Sequence, residues 1–153
     1  YFGFSMGMAP PLSYAYGDGK TDVCRKLERY AHCFFAIAPL VIYTLTYFLA
    51  PAGVSCFADT ASPVFPIAIS GMRIYGLGFL FSGINIFAAV RMMAYGKGHF
   101  SGLITFLRSF ALLLLFLTVL PQKFGLTGVW LAVPAAEVLT LLVSVWFLHP
   151  IQR

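Results

Sequence analysis

The sequence predicts an all-α, polytopic transmembrane helix bundle, and three observations predict it. The chain is 60% hydrophobic and only 10% charged, where a soluble domain carries roughly 25% charged residues; its mean hydropathy is +0.87. Apolar runs of membrane length recur at about residues 30–50, 64–90, 103–120 and 128–148, with the end of a fifth at 1–16. A helix needs about 20 apolar residues to cross the bilayer core. The basic residues gather in alternate loops, as they do in membrane proteins of fixed orientation. Four complete spans and one partial span therefore make a single unit over residues 1–153, with the lipid bilayer as its surroundings.

Tyr1–Tyr16 is apolar and rich in small residues, with Pro10 and Pro11 at its middle. It is too short to span and has no basic region ahead of it, so it is read as the end of a helix rather than a signal peptide. A start at Tyr1 inside an apolar stretch gives the expectation that the chain is a fragment or processed product of a longer one. Gly17–Arg29 reads as a polar loop leading into a helix, with Asp22 placed to cap it. Tyr30–Ala50 is the first complete span, with Pro39 near its centre and Tyr43, Tyr47 and Phe48 toward its far end. A loop with one acid, Asp59, follows.

Val64–Val90 is the stretch around which the rest is arranged. Its glycines (Gly71, Gly76, Gly78, Gly83) and polar residues (Ser70, Tyr75, Ser82, Asn85) suit a helix packed inside a bundle, where small residues let backbones approach and polar groups find partners. Its single charge is Arg73. Arg91, Lys97 and His99 then fall in a loop, and Arg108 lies close enough to the start of Leu103–Leu120 to snorkel to the interface. Pro121–Thr127 is a tight turn into Gly128–Leu148, whose Trp130 and Trp146 lie about 24 Å apart at 1.5 Å per residue, the spacing of two aromatic belts.

Successive spans alternate direction. Lys20, Arg25, Lys26, Arg29, Arg91, Lys97 and Arg153 then share one side, and Lys123 alone occupies the other. The rule that basic loops stay inside places that side, and the C-terminus, in the cytoplasm. The net charge of +5 is accounted for by topology and calls for no nucleic-acid partner. Cys24, Cys33 and Cys56 are widely spaced and form no CxxC, so neither a disulfide framework nor a metal site is expected, and no cofactor. No nucleophile with a base, phosphate-binding loop or paired carboxylates is visible, so the expectation is a protein that is not an enzyme.

Arg73 and Glu137 each lie about 14 Å into spans that run the same way, near the bilayer centre. Neither is tolerated by lipid alone, so the expectation is that they face inward and pair or share waters. Two readings stand side by side: a substrate or proton pathway, and a structural salt bridge between neighbouring helices. Glu137 is the only acid inside a complete span and so the one candidate there for a titrating group. Ser82 and Asn85 are candidates to line a cavity or to bond across helices.

Four stretches resemble the C-terminal half of a multidrug and toxic compound extrusion (MATE) transporter. GFSMGMAPPLSYAYGDGK (Gly3–Lys20) resembles the end of the family's eighth helix. ISGMRIYGLGFLFSGINIFAAVRMMAYGKG (Ile69–Gly98) is similar to its tenth, LRSFALLLLFLTVLP (Leu107–Pro121) to its eleventh, and GLTGVWLAVPAAEVLT (Gly125–Thr140) to the start of its twelfth. The match covers nearly the whole chain in order.

The resemblance implies a twelve-helix, two-lobe transporter of which this chain supplies the end of helix 8 and helices 9 to 12. The partner would be the missing N-terminal lobe of the same protein. The implied function is a secondary antiporter in the cell membrane that exports small cationic or amphipathic compounds against H+ or Na+. It implies transport or coupling roles for Arg73 and Glu137, which match an arginine on helix 10 and an acid after the helix 12 proline, and cavity positions for Tyr14, Ser82 and Asn85. Where sodium-coupled members carry an acid on helix 10, this sequence has Gly83. The alternatives are a lipid-linked oligosaccharide flippase of the same superfamily, which would call for a strongly cationic cavity, and a non-transporting membrane scaffold.

Overall fold

A computed structural model describes residues 1–148, with side chains through residue 145. Trp146 as a side chain, and His149 and Arg153, lie outside the described residues. The helices are α1 (Phe2–Gly17), α2 (Thr21–Ser55), α3 (Val64–Gly76), α4 (Phe79–Ala94), α5 (Gly98–Phe106), α6 (Leu112–Phe124) and α7 (Leu126–Leu148). A π-helical turn, Leu107–Ala111, joins α5 to α6. By length and composition α2, Gly98–Phe124 and Leu126–Val145 can each cross a membrane, and the bent pair α3–α4 is long and apolar enough to cross only if its two helices count as one span. The protein is a multi-pass helical membrane protein.

α4 is the centre. It touches α1, α2, α5 and α7 and buries every residue from Asn85 through Met92. One cluster joins Ala88, Ala89 and Met92 to Ile104 of α5; another joins Phe87 to Ala31 and Phe35 of α2. α6 and α7 form an antiparallel hairpin, and the long exposed side chains of α2, α6 and α7 (Leu40, Phe48, Leu115, Leu142 among them) face outward as lipid requires.

Two helices end in the same way at the basic side. Gly19 and Gly96 take φ of +70° and +71°, the left-handed conformation that glycine adopts without cost. The following lysine then closes the cap, Lys20 N–H donating to Ala15 O at 2.9 Å and Lys97 N–H to Met92 O at 2.8 Å. Carbonyls that would otherwise be orphaned at the membrane face are satisfied.

The structure corrects several expectations. The run Val64–Val90 is not one helix. It breaks at Gly76–Gly78 and bends by 40°, because two glycines around Leu77 let the chain tighten into i→i+3 bonds (Leu77 N–H to Ile74 O, 3.1 Å; Gly78 N–H to Tyr75 O, 3.0 Å). α2 begins at Thr21, so Lys20, not Asp22, is the N-cap, and Asp22 sits in the first turn. At 35 residues α2 is about 50 Å long, well beyond a bilayer core of about 30 Å, so its first turns stand outside at the basic end. Arg91 is not a loop residue: α4 runs on to Ala94 and Arg91 is 4% exposed. Trp130 is half-buried against Gly71 of α3 and serves as a packing residue, its indole Nε1 buried without a partner among the described residues.

That contact gives a test of the α3–α7 packing. A Cβ at Gly71 would collide with the Trp130 ring, whereas one at Gly102 on α5 meets nothing within 4 Å. Gly71→Ala should destabilise the full chain by about 1–3 kcal/mol. Gly102→Ala should be neutral or slightly stabilising, as alanine is in a helix. Unfolding curves in detergent of the two variants check this.

Candidate functional site

Glu137 projects from α7 one turn after Pro134, is 6% exposed, and is tied to two other helices. Its Oε1 accepts from Arg108 Nη1 at 2.8 Å, and its Oε2 accepts from Asn85 Nδ2 at 2.7 Å. The same Asn85 amide donates to the Glu137 backbone carbonyl at 2.8 Å. Asn85 is fully buried on α4, and its Oδ1 has no partner among the described residues. A buried carboxylate is tolerated only when charge and hydrogen bonds are both answered, and here a guanidinium and an amide answer one oxygen each.

Local backbone irregularities aim these groups. Pro134 has no N–H, which removes a rung from α7 one turn before the carboxylate. The π turn Leu107–Ala111 carries Arg108. One residue added to a helix rotates everything beyond it by about 100°, so a π turn re-aims a helix face without ending the helix. Arg108 thereby points into the bundle, 16% exposed.

Above this triad lies a pocket of about 300 Å³ between the N-terminal residues, α4, α7 and the π turn. Ser82, Tyr75, Phe79, Tyr1, Arg108 and Glu137 line it. Ser82 stands one turn before Asn85 on α4 and is 8% exposed. The pocket thus combines aromatic faces, the hydroxyls of Ser82, Tyr1 and Tyr75, and one carboxylate already matched by an internal cation. Such a site suits an organic cation, which aromatic faces and a carboxylate attract together.

The pair expected from equal depth, Arg73 with Glu137, does not form. Arg73 turns to α2, where its Nε donates to the Tyr47 carbonyl at 3.2 Å and its guanidinium lies over the Tyr47 ring at 4.3 Å. Depth fixes height and leaves azimuth open, and the bend at Gly76–Gly78 separates the face of α3 from that of α4. The expected snorkelling of Arg108 is corrected by the same geometry, since the π turn sends it inward. Asn85 and Ser82 are brought together with Glu137. Tyr14 is not: it is 70% exposed on α1, and Lys20 Nζ lies 5.6 Å from the centre of its ring.

A second charged node was missed in the sequence. At the basic end Glu28 Oε1 of α2 accepts from Tyr95 OH at 2.7 Å and from Arg91 Nη1 at 3.2 Å. The signal was present in Arg91, a charge directly following the apolar stretch Ile86–Val90. Burial, with the Glu28 carboxylate beside it, holds the Tyr95 phenol above its ordinary range, so it remains a hydrogen-bond donor.

No protein-family model matches the sequence, and no curated protein matches it significantly. A solved structure does, described as the outward-facing conformation of a multidrug resistance MATE family transporter of the MOP superfamily. The TM-score is 0.86 at 18% identity, and the match covers 97% of this chain and 34% of that one. The chain therefore has the fold of about a third of that transporter.

The assignment of counter-ions is testable by double-mutant cycles in the full chain. Removing Arg108 alone (Arg108→Leu) leaves a buried carboxylate unpaired and should cost about 3–5 kcal/mol. Adding Glu137→Gln should recover part of that loss, a coupling of about 0.5–3 kcal/mol. Arg73→Leu should show no coupling to Glu137→Gln. Unfolding free energies of the six proteins check both statements.

Proposed function

We propose that this chain forms part of a secondary active antiporter that exports cationic or amphipathic compounds in exchange for H+. The observation that carries this reading is Glu137: an acid inside a membrane span, 6% exposed, bridging α4, the π turn and α7 beside a pocket of about 300 Å³. Intramembrane carboxylates mark ion and substrate pathways by default. The likeness of the fold to that of a MATE transporter supports this reading.

The mechanism follows from competition at one carboxylate. With Glu137 charged, Arg108 and Asn85 hold α7 to its neighbours. A cationic substrate entering the pocket offers the carboxylate a second counter-charge, and a proton arriving from the other side removes the charge altogether. Substrate and proton are then mutually exclusive on Glu137, which is the requirement for exchange. The remaining helices of the fold would supply the facing wall, with a rocking motion of one lobe against the other around a midplane site. The basic end, and with it the C-terminus, faces the cytoplasm of the cell on this reading.

Two further observations support protons and small cations over the alternatives. A Cβ at Gly83 would lie 2.5 Å from the Phe35 ring, so that position has no room for a sodium-binding carboxylate. Arg108 is already matched by Glu137, so the pocket offers no surplus positive charge to the pyrophosphate of a lipid-linked sugar.

Export of a fluorescent organic cation from cells carrying the full-length protein tests the proposal. Glu137→Gln should abolish gradient-driven export at unchanged surface expression, and dissipating the proton gradient should abolish export by the wild type. Undiminished export by Glu137→Gln, or dependence on a sodium gradient alone, would contradict it.

A further inference from the structure

A second pocket, about 650 Å³, opens at the basic end between α1, α2 and α4. Its walls include Tyr16, Thr21, Cys24, Arg25, Glu28 and Tyr95. The rings of Tyr16 and Tyr95 stack with centres 4.4 Å apart, forming one side. Behind them Glu28 is neutralised by buried Arg91, whose Nε is left without an acceptor among the described residues. Arg25 is exposed and makes no ion pair among the described residues, and the Thr21 hydroxyl one turn before it is also free. Two guanidiniums against one carboxylate leave the pocket with a surplus positive charge. Lys26 and Arg29, both exposed on the same stretch of α2, extend the positive field.

We propose that this pocket binds the phosphate headgroup of an anionic phospholipid. The occupant follows from where the pocket lies. It sits where α2 leaves its apolar span, between a basic turn and a lipid-facing surface. Arg25, Ala36 and Leu40 fall within about 60° of one another around α2 at 100° per residue, and all three are exposed. A headgroup held by Arg25 and Thr21 would therefore lay its acyl chain along Ala36 and Leu40. The stacked Tyr16 and Tyr95 beside it are amphipathic rings of the kind that favour the headgroup level. Basic pockets between spans at the membrane face take anionic headgroups for these reasons. The inference stands on the geometry of the basic end and does not depend on the transport reading.

Native mass spectrometry of the purified full chain, titrated with phosphatidylglycerol or phosphatidylcholine, tests it. The wild type should retain phosphatidylglycerol in preference to phosphatidylcholine. Arg25→Gln, at an exposed position that leaves folding intact, should weaken that retention about five-fold. Lys123→Gln, at the opposite end, should leave it unchanged, and millimolar inorganic phosphate should fail to displace the lipid. Equal retention by Arg25→Gln, equal loss in Lys123→Gln, or no preference between the two lipids overturns the proposal. Displacement by inorganic phosphate overturns the lipid assignment in favour of a free-phosphate site.

Discussion

A carboxylate buried in a membrane bundle has to be answered by charge and by hydrogen bonds, and the answer given to Glu137 organises much of this molecule. Arg108 and Asn85 take one oxygen each, and they come from different elements. Satisfying that single group therefore fixes the π turn and α4 against α7. The irregular backbone nearby has the same cause. A regular helix through 107–111 would present Arg108 on a different face, and the π turn is what turns it inward. Breaks and bulges concentrate around the charge because regular helices alone do not bring three polar groups to one point.

α4 carries two such nodes at two heights. At one, Asn85 reaches Glu137; at the other, Arg91 in the last turn reaches Glu28 on α2 with Tyr95 beside it. A cation in the last turn of a helix also meets the negative end of the helix dipole. Between the nodes α4 is apolar and buried all round. Motion of α4 relative to α7 and motion relative to α2 thus break different polar contacts.

The class of fold, the approximate positions of the crossings and the likeness to a MATE transporter were legible in composition, run length and four ordered motifs. Height along the membrane was legible too, because rise per residue is constant. Azimuth was not. Gly76 and Gly78 were visible as packing glycines, yet nothing in them announced a 40° bend that would direct Arg73 to Tyr47. Arg108 was visible as a charge near a span's start, and snorkelling is the usual outcome there. The π turn, with a partner brought close by the α6–α7 hairpin, decides otherwise. Asn85 and Ser82 share a face because they lie three apart on a helix, whatever the helix does elsewhere; Ser82 lines the pocket, while Asn85 bonds across helices to Glu137. Arg91 was assigned to a loop because a charge after an apolar run resembles the end of a span; Glu28, far away in sequence, is what allows it to stay inside.

The account rests on Arg108 and a bound cation competing for one carboxylate. Equilibrium binding of an organic cation to the purified full chain, compared between Glu137→Gln and Arg108→Gln, tests that most directly. The account predicts opposite signs: loss of about ten-fold or more in affinity for Glu137→Gln, and tighter binding for Arg108→Gln, whose carboxylate is freed for the ligand. Equal weakening by both substitutions, or no change on removing Glu137, would contradict it.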